Sequence, residues 1–76
     1  MKPSLELVTW TDAFIHMEAT PGKADLATVE TVGWVVYADE IKVEIAAERY
    51  TMEGETTWRA VTVIPAGWVT KRRRLK

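Results

Sequence analysis

Cysteine is absent from this chain of 76 residues, so neither a disulfide nor a thiolate metal site can brace it. The absence also fits a reducing, intracellular setting. Histidine occurs once, as His16, which leaves no second imidazole to share a metal ion. There is no cysteine nucleophile and no Gly-x-Ser-x-Gly elbow. Asp12 and Glu18 lie near His16 in sequence, but too little of a catalytic site can be assembled around them, and His16 reads as a loop residue. No apolar run approaches the roughly 20 residues that cross a bilayer. The opening Met1-Lys2-Pro3-Ser4-Leu5-Glu6 lacks the apolar stretch of a signal peptide. The expectation is a soluble, cytoplasmic protein with no cofactor, no membrane partner and no catalytic residue.

What is present describes a folded globule. Apolar residues make up 47% of the chain and charged residues 28%, proportions that separate it from disordered sequences. The length allows one domain, spanning 1–76, and one core. A core this small leaves stability marginal, so tight packing or oligomerisation must supply the rest. Charge is split along the chain. Residues 1–70 hold five cationic and all eleven acidic side chains, a net of −6, whereas Lys71-Arg72-Arg73-Arg74-Leu75-Lys76 adds five cations.

Alternation of side-chain character predicts five strands. The first is Leu5–Trp10, with Leu5, Leu7 and Thr9 on one side and Glu6, Val8 and Trp10 on the other. A long connection over residues 11–27 follows, with a turn at Pro21-Gly22 and with Phe14, Ile15 and Met17 expected to tuck against the body. The second strand is Val29–Tyr37, where Gly33 marks a bend or bulge. Asp39-Glu40 is a turn. The third strand, Ile41–Tyr50, has the cleanest period of two, and Ile41, Val43, Ile45 and Ala47 are expected to point inward. A helix competes around Ala46 and Ala47, but the β-branched alternation over 41–45 favours the strand. Glu53-Gly54-Glu55 makes the next turn and Thr57–Ile64 the fourth strand. Pro65-Ala66-Gly67 breaks the chain before the last strand, Trp68–Leu75. The class is all-β. A single-turn break before the final strand favours a small five-stranded antiparallel barrel of the SH3-like or Sm-like kind, with a long loop after the first strand and a 3₁₀ turn before the last.

Three short segments carry a family likeness: Val8-Thr9-Trp10-Thr11-Asp12-Ala13, Thr31-Val32-Gly33-Trp34-Val35-Val36 and Ile64-Pro65-Ala66-Gly67-Trp68-Val69. Together they resemble a diverse group of short phage and prophage proteins. The resemblance implies a phage origin, a host-cell cytoplasm and an all-β fold; it implies no activity and no active residues. The Arg72-Arg73-Arg74 run departs from the pattern of the group.

Two features point to binding. Lys71, Arg72, Arg73, Arg74 and Lys76 form a cationic cluster suited to phosphate. The same cluster also suits a charge-blunted edge strand, or pairing with the acidic body of the same chain. Four tryptophans are many for this length, and Trp34 is the expected core member. Trp58, Trp68 and Phe14 are the candidates for stacking or for an interface, with Trp68 the most exposed by parity. The reading is a non-catalytic phage-type binding protein that modulates a host process, such as host defence. It would bind a host protein or sequester a nucleotide-like ligand, as a homo-oligomer joined through open strand edges. The alternative is a nucleic-acid-binding barrel that uses the basic C-terminal strand, with the acidic remainder repelling a long footprint.

Overall fold

The computed structural model describes residues 2–12, 20–22 and 26–75. Five antiparallel strands form one sheet, each present where alternation predicts it: β1 (Ser4–Asp12), β2 (Ala27–Ala38), β3 (Lys42–Met52), β4 (Glu55–Pro65) and β5 (Val69–Arg74). A 3₁₀ turn, Ala66–Trp68, separates β4 from β5, as the Pro65-Ala66-Gly67 break predicts. The strand order is β4-β3-β2-β1-β5, and no ladder joins β4 to β5, so the sheet does not close.

Local chemistry explains the turns. Asp39 closes the β2–β3 connection: its Oδ1 accepts the backbone N–H groups of Ile41 and Lys42, both at 2.8 Å. Its Oδ2 accepts the Tyr37 hydroxyl at 2.7 Å. At the β3–β4 hairpin, Glu53 and Gly54 form a two-residue loop with φ of 52° and 81°. Both central residues are left-handed there, the geometry of a type I′ turn that matches the twist of the strands.

The core lies on one face of the bent sheet. Val8, Val35, Val43, Ile45 and Ile64 are buried, and Trp10, Ala38 and Val69 pack against them. This settles the facing of β1: the Glu6, Val8, Trp10 side is internal. Gly33 allows the bend. A Cβ built there falls 2.5 Å from the Ala46 carbonyl oxygen and 2.6 Å from Ile45 Cγ2, so no larger residue fits.

Three expectations about the core are corrected. Ile41 is 73% exposed because it belongs to the Asp39 turn, before the β3 alternation begins at Lys42. Ala47 is exposed because the β2–β3 ladder ends at the Trp34↔Ala46 pair, which leaves it without a neighbour from β2. Trp34 is half-buried and faces away from the core, since Val35 takes the inward position on β2. Past Ala46, β3 and β4 continue as a two-stranded arm to the hairpin tip. No helix among the described residues is long and apolar enough to cross a membrane.

Candidate binding face

Directly paired residues of an antiparallel ladder share a face. On the side of the sheet opposite Val8 and Val35, Arg73 lies across from Leu7, and Leu7 across from Val32. One step along, Leu5 lies across from Trp34. One step the other way, Lys71 lies across from Thr9, and Thr9 across from Glu30. The result is a row that runs from two cations on β5, over aliphatic side chains on β1, to Val32 and Trp34 on β2. It stays open to solvent: Lys71, Arg73, Glu30 and Val32 are exposed, and Leu5, Leu7 and Trp34 are half-buried. A shallow groove of about 380 Å³ runs between Leu7, Thr9, Glu30, Lys71 and Arg73.

The aromatic end of the row is built by two further strands. The Trp34 ring lies 5.8 Å from that of Trp58, tilted by 46°. The Arg49 guanidinium sits 5.1 Å from the Trp34 ring centre, and Arg49 is the direct cross-strand partner of Trp58. A cation–π contact at so exposed a site is worth about 0.5–1 kcal/mol, little enough for an incoming ligand to displace. On the arm, Arg59 repeats the arrangement, 4.8 Å above the Tyr50 ring and 3.3 Å from Glu48 Oε1.

Arg72 has a different setting from its neighbours. Alternation turns it toward the core face, where Nε donates to Glu6 Oε1 at 2.7 Å and Nη2 donates to Glu6 Oε2 at 2.8 Å. Ser4 Oγ donates a third bond to Glu6 Oε2 at 2.7 Å. Glu6 is 5% exposed, and burial alone would raise the pKa of its carboxyl. The Arg72 hydrogen bonds outweigh burial and hold it below the usual glutamate value, with help from Ser4 and from the charges of Arg72 and Arg74. Arg72 is pushed the other way, further into its cationic range. The basic segment thus divides: Arg72 pairs with the acidic body, while Lys71 and Arg73 face outward beside Thr9 and Leu7. Arg74, opposite Glu6, is exposed at the end of β5.

Trp68 is 41% exposed. It borders a second groove, about 310 Å³, together with Thr11, Asp12, Leu26, Gly67 and Thr70. This groove lies at the far end of β1 from Leu5. Trp58 and Trp68 therefore belong to separate surfaces. Phe14 and Lys76, and His16 with them, lie outside the described residues.

Sequence reasoning did not place Leu5, Leu7, Val32, Trp34 and Arg49 in a shared site. Leu5 and Leu7 signal a buried side as strongly as Val8 does, and only the β1–β2 register reveals that they share a face with Trp34. Set against known protein families, curated proteins and solved structures, the chain matches none of them.

Proposed function

We propose that this chain is a non-catalytic binding protein whose outer sheet face takes a nucleotide-like ligand. The observation that carries the reading is the row Arg73, Leu7, Val32, Trp34, which sets a cation at one end and an aromatic ring at the other on a solvent-open sheet. Two strand spacings and one two-residue step separate its ends, about 12 Å. That span suits a ligand with phosphates at one end and a planar base at the other. Arg73 offers a planar fork to phosphate oxygens, Lys71 a second positive charge, and the Trp34–Trp58 pair a surface for stacking. Glu30, beside Lys71 across Thr9, opposes an anion at that end of the groove and favours the Arg73 track. The fold behind the face is read as an SH3-like or Sm-like barrel left open between β4 and β5; the 3₁₀ turn before β5 supports this. On the likeness to phage proteins, the ligand belongs to the bacterial host, and binding withdraws it from a host process.

A second reading is single-stranded nucleic acid, favoured by the continuation of the aromatic surface from Trp34 to Trp58. Tryptophan fluorescence titration with mononucleotides, dinucleotides and a short oligonucleotide, at low and high salt, separates the two. Binding that saturates with the small ligands supports the first; binding by the oligonucleotide alone supports the second. In either case the K71E/R73E variant loses binding and Glu30→Gln tightens it by roughly two- to five-fold at low salt. No fluorescence change with any of the three ligands at low salt removes both readings.

A further inference from the structure

The chain exposes more surface than a folded monomer of its mass. Its accessible area is 5907 Å², against about 4,700 Å² from the general scaling for monomers. Its radius of gyration is 15.2 Å, against about 11 Å for a compact chain of this length. The excess area, on the order of 1,200 Å², is larger than the roughly 800 Å² that a stable interface covers on each partner.

The two-stranded arm and the open sheet both contribute to that excess. Among the described residues, unpaired edge occurs along β5, along β2 before Trp34, along β3 beyond Ala46 and along the whole of β4. Folded proteins blunt such edges with charge. The β5 edge carries four consecutive cations, Lys71 to Arg74. The open part of β3 carries Glu48 and Arg49, and the open part of β2 carries Glu30. The exception is the stretch Ala60-Val61-Thr62-Val63-Ile64 of β4, which has no charge at all. Val61 and Val63 there are 42% and 57% exposed, on the side of the sheet away from the core.

We propose that two copies of this chain pair through their β4 edges, antiparallel, about a two-fold axis at Thr62. The stretch is nearly self-complementary about that residue. Antiparallel pairing sets Thr62 opposite Thr62, and Val61 of each copy opposite Val63 of the other, which closes an apolar patch across the axis. Backbone N–H and C=O groups left open on β4 gain partners, and two five-stranded sheets become one of ten. Pairing through β5 would place arginine against arginine and is disfavoured by repulsion. Lys71 and Arg73 lie on β5, at the outer ends of the dimer, whereas Trp58 lies on β4 beside the paired edge; the K71E/R73E variant therefore tells failure of the ligand reading from failure of the dimer.

Sedimentation velocity from micromolar to near-millimolar concentration tests the proposal on the full chain. The expected result is a concentration-dependent dimer that the V61K/V63K variant weakens roughly 100-fold, since two valine pairs become like-charge pairs. K71E/R73E leaves the dimer unchanged. Both valines are solvent-exposed, so circular dichroism of V61K/V63K should match that of the parent. If it does not, a Thr62→Cys variant decides instead. In a chain without other cysteines, directly opposed residues at the axis lie within disulfide range and should cross-link on mild oxidation. A strictly monomeric parent chain overturns the proposal. So does a dimer that V61K/V63K, correctly folded, does not weaken, a Thr62→Cys chain that stays monomeric on oxidation, or an assembly larger than a dimer that K71E/R73E dissolves.

Discussion

Removing the Arg72 guanidinium tests the electrostatic anchor of β5. Arg72 is 35% exposed at its side chain and Glu6 is 6% exposed, so in Arg72→Ala the carboxylate keeps its burial and loses two of its three hydrogen bonds. Breaking a fully buried pair from one side costs about 3–5 kcal/mol. Because a third of Arg72 already meets water, solvent enters the vacated space and screens the charge, which lowers the expected cost to about 2 kcal/mol. For a domain of this size that corresponds to a drop in Tm of roughly 8–16 °C. Urea denaturation followed by tryptophan fluorescence measures it. The pH dependence gives the prediction its signature. The pKa of Glu6 is lowered on folding, so the unfolded chain binds the proton more readily. The pair's contribution is complete above the ordinary glutamate value of 4.5 and is lost as pH falls through the lowered one. The gap between the parent and Arg72→Ala therefore narrows as the solution is acidified below that value. A loss under about 0.5 kcal/mol at neutral pH, typical of a surface substitution, would refute the reasoning, as would a gap that stays constant into acid.

Two further substitutions probe the backbone. Gly33→Ala drives a methyl group into the Ala46 carbonyl, a backbone atom that no rotamer change can move, and is expected to cost about 3 kcal/mol in denaturant melts; unchanged stability would mean the close approach at the bend is absent. Glu53→Asn, at φ 52° in the two-residue hairpin turn, replaces a residue that is strained there with one that tolerates the left-handed region. It is expected to raise stability by about 0.5 kcal/mol, and a measurable loss would count against the type I′ turn.

Much of the architecture was legible one residue at a time. β-branched side chains, alternating in Val43-Glu44-Ile45 and consecutive in Thr62-Val63-Ile64, favour extended chain. Asp39, Glu53-Gly54 and Pro65-Ala66-Gly67 impose their turns through local hydrogen bonding, positive φ and a missing donor. These are short-range effects, so the sequence by itself determined strand number, turn placement and the 3₁₀ break. Which face of each strand is buried belongs to a different level. Leu5 and Val8 are equally apolar, but the register with β2 puts Val8 inside and Leu5 beside Trp34. Arg72 and Arg73 are neighbours of the same type, yet pleat parity sends one to Glu6 and the other to the open face. Ile41 fits the period of β3 and is still exposed, because the turn ends one residue later than the pattern begins. Only the tertiary structure decided these pairings and, among the described residues, left one edge of β4 unpaired, since register and closure depend on side chains separated by tens of residues, whose meeting no local preference encodes.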